Sequence, residues 1–261
     1  MTDYHAINKK AWDKRVAIHV ESKFYDVSGF LQGNSSLTEI ETEELGNVSH
    51  KSLLHLQCHF GLDSLSLARM GAKVTAVDLS SAAIDKANEL HDKINTGNHI
   101  DASFVCAEIN EYLAVNDQQF DLVYTSFGAI CWLPDLSIWA QGIARSLKQG
   151  GTFYMAEFHP ILDLLSGCNY FNTGQADLEA EGTYTENCDG VEMETATWAH
   201  PISEVVNALI NAGLSIQHLN EFPYSPYNCF EGLKETEKNR FTLIENGHAK
   251  PLVYSIKATK N

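Results

Sequence analysis

From Lys51 onward the chain alternates short apolar runs with stretches whose apolar residues recur every three to four positions. Lys51 to Gln57 (KSLLHLQ) is a strand-length apolar run; Leu62, Leu65 and Ala68 then recur at helical spacing, and Gly71 closes the segment as a C-cap. Val74 to Asp78 is short and β-branched, and Ser80 is placed to cap a helix whose Ala83, Ala87, Leu90 and Ile94 share one face. Phe104 to Cys106 and Phe120 to Phe127 supply two further strands. Asp135 caps a helix with Leu136, Trp139, Ala140, Ile143, Ala144 and Leu147 inward, and LKQGG ends it before a strand over Thr152 to Phe158. This βαβαβ rhythm predicts a parallel sheet with helices on both faces.

The rhythm breaks at Pro160. Turn signals (NTG, EGTY, CDG) fill the chain to Ala199, which reads as an insertion over about residues 160–200. A helix over Ser203 to Ala212 and two strands, Leu214 to Glu221 and Leu252 to Thr259, follow without a helical crossover between the strands, which predicts an antiparallel hairpin at the sheet edge. Residues 1–50 have scattered aromatics (Trp12, Phe24, Tyr25, Phe30) and little apolar period, so they form a helical lead-in expected to act as a lid over the domain of residues 51–261.

Composition narrows the function. The formal net charge is -16 and the pI near 5.0, a field that repels nucleic acid and anionic membrane surfaces. Six dispersed cysteines without a CxxC pair and an N-terminus without an apolar signal core predict a cytoplasmic protein with reduced thiols. No stretch reaches the apolar length of a membrane span, and oligomeric state is not legible. His55 and His59 lack the helical HExxH context of a metal pair, so no metal is expected. Asp78 ends the second strand about seventeen residues after Gly61, the place of a ribose-binding carboxylate; its bland alternative, a helix cap, is already offered by Ser80.

Seven strands in this order, with LLHLQCHFG at the first, VDLS at the second, FDLV at the fourth and LKQGG before the fifth, resemble the class I S-adenosylmethionine-dependent methyltransferases over roughly Lys51 to Thr259. WDKR, FYDV, LQCHFGLD and CWLPD resemble a bacterial subgroup within them. The resemblance implies an α/β, Rossmann-like, seven-stranded and mostly parallel sheet with one antiparallel edge strand. It also implies S-adenosylmethionine as cofactor and S-adenosylhomocysteine as product.

The family's first loop runs acidic-x-Gly-x-Gly-x-Gly. Those positions are His55, Gln57, His59 and Gly61 here, with Cys58 between, so only the last glycine is kept. The resemblance further implies that Asp78 holds the ribose, that Leu79, Glu108 and Ile109 receive the adenine, and that Ser126 and Phe127 lie where sulfonium and acceptor meet. Tyr25 of the lead-in joins the cofactor set.

A sulfonium methyl is already activated, so transfer needs alignment and a dry pocket more than covalent help. For a hydroxyl or protonated amine a base is required, and His159 and Glu157 in EFHP are the best placed; His200 and His19 stand behind them. The alternative for His159 is a histidine bonding its own turn before Pro160. Asp177, Glu179, Glu181, Glu186, Asp189, Glu192 and Glu194, with no Lys or Arg from Gln149 to Leu233, point to a neutral or cationic small-molecule acceptor. Two other readings remain open. A noncatalytic adenosylmethionine-binding sensor would keep the cofactor residues, and an NAD-dependent oxidoreductase would need the GxGxxG that this loop lacks.

Overall fold

The predicted strands are present with small changes of boundary. The structure, a computed structural model, describes residues 2–96, 99–188 and 190–261. Helices α1 (Tyr4–Val20), α2 (Val27–Leu31) and α3 (Glu39–Leu45) precede β1 (Ser52–Leu56), α4 (Leu62–Arg69), β2 (Lys73–Asp78), α5 (Ser81–Ile94) and β3 (Ala102–Cys106). Then come α6 (Ile109–Val115), β4 (Phe120–Thr125), α7 (Leu136–Ser146) and β5 (Leu147–Phe158). The insertion holds α8 (Ile161–Leu165) and an antiparallel pair, β6 (Asp177–Glu181) with β7 (Met193–Thr197). It is followed by α9 (Ile202–Asn211) and β8 (Leu214–Phe222). Two small pairs, β9 (Lys234–Glu237) with β10 (Arg240–Thr242) and β11 (Ile244–Glu245) with β12 (His248–Ala249), lead to β13 (Val253–Lys260).

The main sheet has the order β3-β2-β1-β4-β5-β13-β8. The first five strands are parallel, and β13 runs antiparallel to both β5 and β8. The antiparallel strand therefore lies one place in from the edge, and β8 takes the edge itself. Successive residues of β1 point to opposite faces: Leu53 joins a core with α4, α5 and the lead-in helices, Leu54 a core with α6, α7 and α9. From β1 the chain winds outward to β2 and β3, then returns to β4 on the other side, so a crevice opens beyond the ends of β1 and β4.

The lead-in is fastened to the domain. The Asn8 amide exchanges two 2.8 Å hydrogen bonds with the backbone of Ala196 on β7, and Asp13 accepts from the Ser80 hydroxyl and the Ala82 N–H at the start of α5. The inward face of α1 is Asn8, Ala11, Arg15, Val16 and His19. Among the described residues no helix is long and apolar enough to cross a membrane.

Candidate functional site

A cavity of about 860 Å³ occupies the crevice, within the range of small-molecule sites. Gln57, Cys58, His59, Gly61, Asp78, Leu79, Glu108, Ile109, Ser126, Phe127 and Tyr25 all line it. His55 does not. The strand's alternation aims its ring at the sheet face, 4.5 Å from the Tyr124 ring, where Nδ1 pairs with Ser64 Oγ at 2.7 Å and Nε2 lies 3.4 Å from Ser126 Oγ. It is 1% exposed, and burial holds it neutral, its pKa down at about 3. Its expected contact with the cofactor is thus corrected to a core position.

The β1 loop keeps the shape of a glycine loop without its glycines. Gln57 and His59 have φ of 57° and 51°, beside 79° at Gly61. At Gly61 a side chain has no room, because a Cβ would stand 2.6 Å from Phe104 Cε1. The His59 N–H donates to Asp78 Oδ2 and the Ser80 N–H to Oδ1, each at 2.8 Å, so Asp78 fixes the loop and still has lone pairs facing the cavity. Burial pushes its carboxyl up to about 6 against those two donors. Glu108 caps α6 through Oε2, which accepts the Glu111 N–H at 2.8 Å, and Oε1 lies 4.0 Å from His5.

Both expected bases are engaged elsewhere. The Glu157 carboxylate accepts the N–H groups of Gly128 at 2.5 Å, Ala129 at 2.9 Å, Ile130 at 3.3 Å and Phe158 at 2.7 Å. It anchors the loop after β4, even though burial pushes its pKa up to about 7. The His159 ring accepts the Ile161 N–H on Nδ1 at 3.1 Å and donates from Nε2 to Glu221 at 2.9 Å, which leaves it no lone pair for an acceptor. This is the turn-bonding alternative. His200 is likewise bonded through both nitrogens, to Leu133 O and Glu204.

His59 lines the cavity and meets His19 of the lead-in, which is fully buried and is not among the lining residues. His19 Nδ1 lies 3.3 Å from His59 Nε2, and His19 Nε2 lies 2.6 Å from Thr183 Oγ1. Burial, then the charge of Arg15, holds His19 down at about 3; burial, then His19 and Arg15, depresses His59 as well. Tyr25 stacks on His19 at 5.1 Å, and its hydroxyl pairs with that of Tyr184 at 2.5 Å. Arg15 is 3% exposed, its guanidinium 5.0 Å from the Trp12 ring and 5.4 Å from the Trp132 ring.

The family model for a methyltransferase domain matches residues 54–155. A ubiquinone biosynthesis O-methyltransferase from Nitrosomonas europaea is 32% identical over 114 residues, 44% of this chain and 46% of its own. Another from Xanthomonas euvesicatoria pv. vesicatoria is 25% identical over 243 residues, 90% of each chain. A solved S-adenosylmethionine-dependent methyltransferase from Methanosarcina mazei superposes with a TM-score of 0.60 at 21% identity, over 86% of this chain and 98% of that one. The chain has the class I S-adenosylmethionine-dependent methyltransferase fold.

Sequence reasoning missed several residues of this site. Arg15, Thr183, Tyr184 and Tyr227 line the cavity; Arg15 lay in WDKR, and Thr183 and Tyr184 lay in EGTY, which reads only as a turn. The expected all-acidic roof is corrected in part. Asp177, Glu179 and Glu181 line the cavity with Asp163, whereas Glu186, Glu192 and Glu194 are not among its lining residues, and Asp189 lies outside the described residues. Arg15 brings a buried cation into the same space from the lead-in, which a count of charges within the insertion could not register. Among the described residues no group of three His, Cys, Asp or Glu could hold a metal.

Proposed function

We propose that this methyltransferase moves the methyl group of S-adenosylmethionine to a hydroxyl or amine of a small neutral or cationic acceptor, releasing S-adenosylhomocysteine. One observation carries the reading: Asp78, Ser126 and the aromatic walls of Trp12, Phe127, Trp132 and Tyr227 line a single cavity, so cofactor and acceptor share one space. The residues fit the cofactor. Asp78 takes the ribose diol, Leu79, Ile109 and Glu108 the adenine, and Gln57, Cys58, His59, Gly61, Ser126, Phe127 and Tyr25 surround the amino acid end. Arg15 has a buried Nε without a partner, a donor suited to the carboxylate. When bound, the cofactor supplies an activated methyl group on a sulfonium.

This chain's own residues then align the acceptor, exclude water and accept a proton. His59, neutral at pH 7 and lining the cavity, replaces His159 and Glu157 as the candidate base, and the acceptor's proton would pass to its imidazole. Residues 1–50 serve as the lid through Trp12, His19 and Tyr25. The names of the ubiquinone biosynthesis O-methyltransferases favour oxygen as the acceptor atom. WDKR, FYDV, LQCHFGLD and CWLPD support the reading of a bacterial subgroup, and its free cysteines suit the cytoplasm.

The test is turnover. Purified protein with methyl-labelled cofactor and fractionated metabolite pools should form S-adenosylhomocysteine and a labelled small molecule. Binding of S-adenosylhomocysteine without transfer to any fraction would favour the sensor, and a thermal shift with NAD alone would overturn the cofactor assignment.

A further inference from the structure

The methionine end of the cofactor carries an ammonium group, and the acid that opens the family's loop is missing. His55 stands in its place, neutral and bonded to Ser64. Another carboxyl is available. Asp63, in the first turn of α4, lines the same cavity beside the β1 loop, and among the described residues no Lys, Arg or His lies within 4.0 Å of it. Burial raises its pKa, and the hydroxyls of Ser36 and Ser126 oppose that shift. Behind it Glu41, 0% exposed, accepts the Tyr124 hydroxyl, and burial followed by the charge of Asp63 raises its pKa. Glu41 is thus fully buried and Asp63 partly buried on the cavity wall, and among the described residues no Lys, Arg or His forms an ion pair with either.

A second acceptor waits in the same wall. Gln57 donates from Nε2 to Ala129 O at 2.7 Å, which fixes the orientation of the amide and leaves Oε1 buried without a donor. A buried acceptor without a partner costs free energy until a donor arrives. An ammonium group has three donors and no acceptor, the complement of this pair.

We propose that Asp63 and the Gln57 Oε1 receive the ammonium group of the cofactor's amino acid end, Asp63 standing in for the acid that the loop lacks. The proposal rests on the methyltransferase reading above and names two binding residues within it. It divides the amino acid end between two poles, ammonium toward Asp63 and Gln57, carboxylate toward Arg15.

Calorimetry with S-adenosylhomocysteine and with its desamino analogue, which keeps the carboxylate and lacks the ammonium, separates this from a structural role. Wild-type protein should prefer S-adenosylhomocysteine by about 30-fold or more, the worth of a charge-assisted bond in a shielded site. Asp63→Asn should remove most of that preference by weakening S-adenosylhomocysteine while leaving the desamino analogue within about threefold. Equal losses for both ligands in the variant, or no loss for either, would overturn the assignment. So would a wild-type preference below about threefold, a result that does not depend on the variant folding. Wild-type protein that binds neither compound would overturn the cofactor reading itself, and a preference for the desamino analogue would overturn the ammonium site alone.

Discussion

Replacement of Asp78 by asparagine tests the cofactor site at its best-defined point. The wild-type carboxylate accepts the N–H groups of His59 and Ser80 at 2.8 Å each and presents its remaining lone pairs to the cavity. In Asp78→Asn the charge is lost, and the amide must turn an NH2 group toward either one of those donors or the ribose diol. Exchanging charge-assisted bonds for one neutral bond and one mismatch costs about 2 to 4 kcal/mol, so the affinity for S-adenosylhomocysteine should fall about 30- to 900-fold. The protonation of Asp78 gives a second readout. Burial pushes its folded-state pKa up to about 6, and the ionised form is the one that accepts a diol. Wild-type affinity should be full above about pH 7 and fall roughly tenfold per unit as pH drops below about 6. Calorimetric titration from pH 5 to 8 reads both effects. Equal affinity in the variant, or a flat wild-type profile, would show that the ribose is bound elsewhere.

Glu157→Gln leaves an NH2 group facing backbone donors, so it should destabilise the fold by about 2 to 4 kcal/mol in urea unfolding; unchanged stability with a lost pH-dependent rate would restore a catalytic base. His159→Gln should keep kcat within about threefold, because neither ring nitrogen is free for an acceptor, and a loss of more than about a hundredfold would return His159 to catalysis. His19 titrates near 6.5 when unfolded and at about 3 when folded. Its contribution is therefore full above pH 6.5 and lost as pH falls toward 3, and His19→Gln should flatten that acid limb in a denaturation series against pH. Amide exchange over α1 should slow when S-adenosylhomocysteine binds, and no change there would reject a lid.

The central strands were legible because burial on both faces writes apolar residues at successive positions, as Leu53, Leu54 and Leu56 do in β1. Where few residues face a core the pattern disappears. In α6 only Ile109 and Leu113 are buried, and the four residues of β9 are all exposed, so neither element carried a periodic signal. Helix α1 is hidden differently. Its inward face includes Asn8 and Arg15, which line the cavity, and His19, which bonds His59 and Thr183, so polar contacts replace apolar packing there. The candidate bases show the other limit. Sequence placed Glu157 and His159 correctly at the end of β5, but their availability depends on Gly128 to Ile130 and on Glu221, and a single sequence does not reveal such distant partners.

The loss of two loop glycines has a physical counterpart in the way the strand ends are tied together. Non-glycine residues at positive φ cost about 1 to 2 kcal/mol each, and Gln57 and His59 both adopt it. What offsets that cost is cross-bracing. Gln57 reaches from the β1 loop to Ala129 after β4, Glu157 reaches from β5 to the same loop, and Asp78 reaches from β2 to the His59 N–H. Four strand ends are thereby held in one hydrogen-bonded frame before any ligand arrives. A glycine loop has more conformational freedom to lose on binding, whereas this loop has already lost it in folding. The polar residues that weaken the motif as a pattern are thus the ones that preorganise the cavity as a site, and their strain belongs to the binding function rather than to the stability of the sheet.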